Sequence, residues 1–237
     1  MIGALLLAAG SGTRMKGEVE DKLLKPIGGS NAFLLSCDAF LQSTPTEHLV
    51  IVYKDAAQSE KLQSALGEKL SSLSSKTKIH WVKGGQERQD SVWAGLCELP
   101  DEVTHVLIHD CARPFIKSET ICQAADLIAQ DKAVCVARPL KDTLRLRIDP
   151  SAHPLQPSST QTINRENHWV METPQGGPKK WLIDGLRQAR ESKISITDDI
   201  AALELNGHPV AMLEPNYPNP KITTPDDFSY ANFLSQS

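Results

Sequence analysis

An apolar run from Ile2 to Ala9 breaks directly into Gly10-Ser11-Gly12-Thr13-Arg14-Met15, and two lysines follow at Lys22 and Lys25. A continuous apolar run of this length is a strand covered on both faces, and such strands belong to parallel sheets with helices on either side. The turn after it brings backbone N–H groups and positive charge to one end of that strand, which is how folds hold a nucleotide's phosphates. Chemistry on a triphosphate is the first expectation.

The rest of the chain repeats the pattern. Strand-length apolar runs recur at Leu49–Tyr53, Lys78–Val82, Val103–His109 and Ala133–Ala137. Segments with helical spacing lie between them, at Ala32–Leu41, Gln86–Leu99 and Ser118–Ala129. The alternation predicts an α/β, doubly wound, mainly parallel sheet. Sites in such sheets lie at the carboxyl ends of the strands. The glycine loop follows the first predicted strand, Gly84-Gly85 the third and Asp110 the fourth, so the three should meet on one rim. Helices are expected again near Lys179–Glu191, Thr197–Asn206 and Pro225–Leu234, with a short strand around Val210–Leu213.

Leu140 to Trp169 departs from this alternation. Leu144, Leu146 and Ile148 alternate with Thr143, Arg145 and Arg147, a two-faced strand, and Pro150–Ser159 is rich in turn residues. A β-hairpin arm leaving the main body is expected. A second copy of the chain is the economical cover for its apolar face; a disordered insertion is the alternative reading.

Charge and cysteine usage narrow the classes. The net charge of −4, with both signs interspersed, gives no reason to expect a nucleic-acid or membrane partner. Five scattered cysteines in no metal-ligand spacing argue against a disulfide framework or a zinc site, and they read as reduced thiols. No leader or membrane-spanning run is recognisable, so a soluble cytoplasmic protein is expected.

Three clusters carry candidate chemistry. In the first, the loop lacks the Walker pattern and the third glycine of a dinucleotide fingerprint, which disfavours a P-loop ATPase and a Rossmann dehydrogenase. Arg14 can fork onto phosphate oxygens and Lys22 can approach as a compact charge, or both are solvated surface cations. In the second, Gly84-Gly85 lets the backbone approach a flat base, with Ser91 in the helix that follows; a turn closing onto a capped helix, with Arg88 as a surface charge, is the plainer reading. In the third, Asp110 at a strand end lies three residues before Arg113. A hard divalent cation prefers carboxylate oxygen, and the arginine suits an anionic substrate; a structural pair is the alternative. A Cys111 nucleophile served by His109 is not expected, on the ground that strand alternation parts the two side chains.

The strings LLLAAGSGTRM, DKLLKPIGG, GGQERQDSVWAGL, HDCARPF, KDT, ETPQ, ITDD and KITTPDD, in this order over nearly the whole chain, resemble the 2-C-methyl-D-erythritol 4-phosphate cytidylyltransferase (IspD) family. The resemblance implies a single Rossmann-like nucleotidyltransferase domain over residues 1–237, with 140–169 as a dimerisation arm of a homodimer. It also implies transfer of CMP from CTP to a sugar-alcohol phosphate, with Mg²⁺ as the divalent cation and pyrophosphate released. By that likeness Ala8, Ala9, Gly10, Ser11 and Gly12 border the nucleotide, while Gly85, Gln86 and Ser91 recognise cytidine. Arg14, Lys22 and Lys221 supply catalytic charge, and Asp110 stands between metal and substrate. Arg113, Thr143, Arg165 and Thr173 surround the polyol phosphate, with Arg165 serving the partner subunit's site.

Cys111 stands where the family often has alanine, and Asp199 where it often has glutamate. Leu23 and Leu24 replace a more usual polar-aromatic pair, and Lys25 adds a second cation, although the spacing of Lys22 to Ile27-Gly28-Gly29 fits the pattern better. The expected mechanism is in-line attack of the polyol phosphate on the α-phosphorus of CTP, without a covalent enzyme intermediate. A ribitol 5-phosphate cytidylyltransferase, or a silent nucleotide-binding regulator on the same scaffold, are the competing readings.

Overall fold

The computed structural model of the chain describes residues 1–10, 21–43, 45–70, 76–149, 151, 153 and 155–236. In chain order its strands are β1 (Ile2–Leu7), β2 (Pro26–Ile27), β3 (Ser30–Asn31), β4 (Thr46–Tyr53), β5 (Lys78–Lys83), β6 (His105–Asp110), β7 (Ala133–Pro139), β8 (Leu144–Arg147), β9 (Thr160–Ile163), β10 (Trp169–Pro178) and β11 (Val210–Leu213). The helices are α1 (Ala32–Gln42), α2 (Ala56–Leu70), α3 (Arg88–Glu98), α4 (Ser118–Ile128), α5 (Lys179–Glu191), α6 (Asp199–Leu205) and α7 (Pro225–Leu234).

Seven strands form the central sheet in the order β11-β7-β10-β6-β1-β4-β5. All run parallel except β10, which lies antiparallel to both β6 and β7. The doubly wound, mainly parallel sheet expected from the alternation is therefore present. Strand β1 shows why its sequence is apolar throughout: Ala4 and Leu6 pack with Phe33 and Phe40 of α1 on one face, and Leu5 packs with Val92 and Leu96 of α3 on the other. Helices α1, α2, α4 and α7 cover the first face, and α3, α5 and α6 the second. Each large aliphatic side chain so buried stabilises the fold by about 1.5–3 kcal/mol.

Local signals set several helix ends. The Asn31 side chain accepts from Leu34 N at 2.9 Å and starts α1, and Asp198 accepts from Ala201 N at 3.1 Å to start α6. Pro225 opens α7 behind Thr224, where a missing N–H costs nothing.

Besides the short β2–β3 pair, two longer elements were not expected. Helix α2 buries Leu62 and Leu66, one residue pair on an otherwise polar segment, too narrow a stripe to stand out. Strand β10 contains Pro174, Gly176, Gly177 and Pro178, residues that normally argue against a central strand. Here close approach decides: a Cβ on Gly176 would lie 2.1 Å from the Val106 carbonyl oxygen, so β10 can reach β6 only with glycine there. Its pairing with β7 is interrupted between Met171 and Gln175, where the Thr173-Pro174 peptide is cis.

Strands β8 and β9 pair antiparallel with each other, apart from the main sheet, with Leu144 opposite Ile163 and Arg147 opposite Thr160. Leu144, Leu146 and Ile148 stand exposed on this hairpin. Among the described residues no helix is long and apolar enough to cross a membrane.

Candidate active site

Register brings three loops to one rim. Leu7, the last residue of β1, pairs with Val52 on one side and Asp110 on the other, so β1, β4 and β6 end at the same level. Beyond it Ala8 N donates to Val52 O (2.9 Å), Cys111 N to Leu7 O (3.2 Å) and Gly84 N to Tyr53 O (2.7 Å). A cleft of about 340 Å³ opens there, lined by Ala8, Ala9, Gly10, Lys22, Gly85, Gln86, Ser91, Asp110 and Lys221 among others. That volume suits a small organic ligand. Nine of the anticipated site residues thus share one cavity, although they come from stretches more than two hundred residues apart. Ser11, Gly12 and Arg14 lie outside the described residues.

The nucleotide-side turn is tightly closed. Gly85 N donates to Ser91 Oγ (3.2 Å), and that hydroxyl donates to Glu87 O (3.2 Å). A Cβ on Gly85 would lie 2.2 Å from Asp90 Cβ, so the glycine is needed first for the turn to close onto α3.

Asp110 is the electrostatic centre of the cleft. It is 8% exposed, with Lys221 Nζ at 2.5 Å from Oδ2 and Arg88 Nε at 3.4 Å from Oδ1. Burial alone would push its carboxyl up, but Arg88 and then Lys221 outweigh burial and hold it well below the ordinary carboxylate range. Lys22 Nζ donates to Ile222 O at 3.0 Å, which ties the loop after β1 to the segment carrying Lys221. Lys25 instead lies 4.5 Å over the Phe228 ring, so the two lysines have separate environments.

Behind Asp110 runs a buried hydrogen-bonded chain. Asp110 N donates to Thr173 Oγ1 (3.2 Å), Thr173 Oγ1 lies 2.9 Å from His109 Nδ1, and His109 Nε2 lies 3.1 Å from Arg113 O. The carbonyl can only accept, which assigns the proton to Nε2 and lets the Thr173 hydroxyl donate to Nδ1. Burial lowers the His109 pKa to about 4, so the imidazole is neutral at pH 7.

The remaining anticipated residues are not in this cavity. Thr173 is buried behind Asp110. Arg113 turns away, donating to Asn219 O (3.1 Å) and Met171 O (3.3 Å). Thr143 and Arg165 are exposed beside the β8–β9 hairpin, with an Arg165 Nη1 bond to Lys141 O.

Strand alternation does not part Cys111 from His109, contrary to expectation. His109 and Cys111 are two residues apart and share a face: His109 packs against Phe40, and Cys111 belongs to the same core cluster. What excludes a thiolate is burial, reinforced by the Asp110 charge, which pushes the Cys111 thiol far above its usual value.

The family model described as IspD: 2-C-methyl-D-erythritol 4-phosphate cytidylyltransferase matches residues 2–237. The chain belongs to the IspD family. The 2-C-methyl-D-erythritol 4-phosphate cytidylyltransferase of Gloeobacter violaceus is 35% identical over 230 residues, covering 97% of this chain and 94% of that relative. The solved 4-diphosphocytidyl-2C-methyl-D-erythritol synthase of Anaerococcus prevotii shares 26% identity with a TM-score of 0.83, covering 100% of this chain and 96% of that one. The Thermus thermophilus 2-C-methyl-D-erythritol 4-phosphate cytidylyltransferase shares the fold, with a TM-score of 0.75 at 23% identity over the full length of both chains.

Sequence reasoning missed one ion pair of this IspD cleft. Arg88, read there as a surface charge, lines the cavity and forks onto Asp199 (Nη1–Oδ1 2.8 Å, Nη2–Oδ2 2.6 Å) while its Nε faces Asp110. Asp199 is 2% exposed at the start of α6. The signal for Arg88 was its place as the first residue of a helix that begins on the site rim; Asp199 was marked by the ITDD string and as a replacement for glutamate, but nothing local pairs it with Arg88.

Proposed function

We propose that the chain transfers CMP from CTP to 2-C-methyl-D-erythritol 4-phosphate, giving 4-diphosphocytidyl-2-C-methyl-D-erythritol and pyrophosphate. The observation that carries this reading is the meeting of Lys22, Lys221 and Asp110 in one cleft with the Gly85–Ser91 turn, in a chain of the IspD family. The glycine turn and Ser91 hold the cytosine edge, with Ala8, Ala9 and Gly10 along the nucleotide. Ser11, Gly12 and Arg14 complete the triphosphate loop by the family likeness.

The chemical problem is the approach of two anions. Lys22 and Lys221 neutralise charge on the incoming phosphate and on the α-phosphoryl group, and their fixed placement spares reorganisation during the reaction. The nucleophile is already an oxyanion, so no general base is needed, and the buried thiol of Cys111 takes no part. Neutral His109, through Thr173, holds the Asp110 backbone in place. By the family likeness Arg113 serves the polyol phosphate, but its guanidinium is turned from the cleft onto the Asn219 and Met171 carbonyls, so a direct role requires it to leave them.

A divalent cation fits Asp110 in one sense. Among the described residues no three His, Cys, Asp or Glu side chains form a cage, but Mg²⁺ commonly takes one or two carboxylates and draws its other ligands from substrate phosphates. Asp110, ionised and open to the cleft, would hold it together with the triphosphate. Bound Mg²⁺ would supply charge neutralisation on the phosphoryl oxygens.

The working assembly in this reading is a homodimer in the reducing cytoplasm. The exposed Leu144, Leu146 and Ile148 supply an apolar face for a second copy, Arg165 beside it serves the partner subunit's cleft, and all five cysteines are free. The test is pyrophosphate release on mixing the purified protein with CTP, Mg²⁺ and 2-C-methyl-D-erythritol 4-phosphate, with ribitol 5-phosphate in a parallel assay. Turnover is expected with the methylerythritol phosphate. Faster turnover with ribitol 5-phosphate, or none with either, overturns the assignment.

A further inference from the structure

Lys221 sits on a segment with no helix or strand of its own, between the end of β11 at Leu213 and the start of α7 at Pro225. Fixing the residues of such a segment opposes backbone entropy, so something must hold it if the Lys221 ammonium is to stay 2.5 Å from Asp110. Asn219 is held by Arg113 Nη1 on its carbonyl (3.1 Å) and by Phe115 N on its Oδ1 (3.0 Å), the Tyr217 hydroxyl bonds Thr120 Oγ1 (2.7 Å), and one further side chain grips two carbonyls of the segment at once. Arg138, near the end of β7, donates through Nη1 to Pro215 O (3.2 Å) and through Nη2 to Tyr217 O. Its Nε donates to Glu172 Oε1 at 2.6 Å. The two carbonyls lie two residues apart, so a planar fork that binds both sets the segment's conformation as well as its position. A lysine, with a single point charge, cannot do the same.

The anchor is built into the core of the site. Glu172 is 6% exposed and immediately precedes Thr173, which bonds the Asp110 backbone. Arg138 and Asp110 are therefore tied to neighbouring residues of β10, and the segment that Arg138 grips returns to Asp110 through Lys221. Downstream of the fork, Ile222 N closes onto Ala112 O at 2.7 Å, which fixes the far side of Lys221.

We propose that Arg138, held by Glu172, is a positioning residue for Lys221, acting on the reaction only through the segment it grips. The inference rests on the catalytic role assigned to Lys221 above. A displacement of about 1 Å in a reacting or neutralising group is enough to cost on the order of a hundredfold in rate.

The test is a double-mutant cycle on the full-length protein, using Arg138→Gln, Lys221→Ala and the two combined. Arg138→Gln is expected to lower kcat by about tenfold or more, with the KM for CTP within about threefold of wild type. It should cost nothing further on the Lys221→Ala background. In the same variant, hydrogen exchange of the amides over 215–222 should quicken while the amides of β1 and β6 keep their protection. Arg138→Lys, which keeps a cation beside Glu172, covers the case in which the glutamine variant does not fold, and the same losses are expected of it. Unchanged exchange over 215–222, or a rate loss on the Lys221→Ala background as large as on wild type, overturns the proposal. Full turnover in Lys221→Ala alone is a different result: it removes the role assigned to Lys221 and leaves the exchange measurement to judge the anchor.

Discussion

Arg88 and Asp199 are joined by two parallel hydrogen bonds, 2.8 and 2.6 Å long, that link the first residue of α3 to the first residue of α6 beside the cleft. The carboxylate is nearly inaccessible, so it depends on this one guanidinium for its charge balance. Arg88→Met should destabilise the protein by about 3 kcal/mol, because it leaves Asp199 buried and unpaired. Adding Asp199→Leu should recover much of that loss. Urea denaturation of the single and double variants checks this, and a double variant no more stable than Arg88→Met would contradict it.

The charges lining the cleft should affect turnover more than nucleotide capture. Lys22→Ala is expected to lower kcat by about 10²–10³, with a smaller effect on CTP affinity measured by calorimetry. Asp110→Asn should blunt the dependence of rate on Mg²⁺ concentration. A Lys22 variant turning over near the wild-type rate, or an Asp110 variant with an unaltered Mg²⁺ profile, refutes the corresponding role.

Sharing of sites between subunits is open to complementation. An Arg165→Ala subunit has an intact cleft and a defective hairpin, and a Lys22→Ala subunit has the reverse. Random exchange of equal amounts makes half the dimers mixed, each with one complete site, so about a quarter of wild-type activity should return. Activity no higher than the average of the two separate variants means that each cleft is completed by its own chain.

His48 gives a pH dependence remote from the cleft. It is buried, with Nδ1 2.9 Å from His80 Nε2 across β4 and β5. Burial first, then the charges of His80 and Lys78, lower its pKa in the folded state. Below about pH 6.5 the unfolded chain therefore binds more protons at this residue than the folded one. The stability contributed by neutral His48 is complete above that pH and declines as the pH falls towards the folded value. Urea midpoints measured near pH 7.5 and near pH 5.5 should differ more for wild type than for His48→Asn. Equal differences would show that His48 is not the group responsible.

Much of the fold was legible because burial on both faces leaves a distinct mark. Ala4-Leu5-Leu6 and Val50-Ile51-Val52 are apolar without alternation because helices cover both sides of the sheet. The convergence of Gly10, Gly85 and Asp110 followed from parallel strands ending together. Less legible was whatever depended on contacts between distant segments. Strand β10 reads as a turn because Gly176 is there to let two backbones meet, a fact stored in β6 and not in β10. Arg88 and Arg138 look like ordinary surface cations, since the carboxylates and carbonyls that hold them lie far away in the chain. Thr173 carried a motif but not its neighbours: its hydroxyl is engaged by His109 and by the Asp110 amide.

Strand β10 also bears on how the molecule can come together. In the order β11-β7-β10-β6-β1-β4-β5 it is, among the described residues, the strand that joins two blocks, since β7 and β6 are not paired with each other. A nascent chain that ends before Trp169 can assemble β6-β1-β4-β5 but must leave β6 as a raw border, with β7 unattached. Only when the ten-residue β10 slots in antiparallel do both borders close, so β7 and β6 should gain protection from exchange in a single late event.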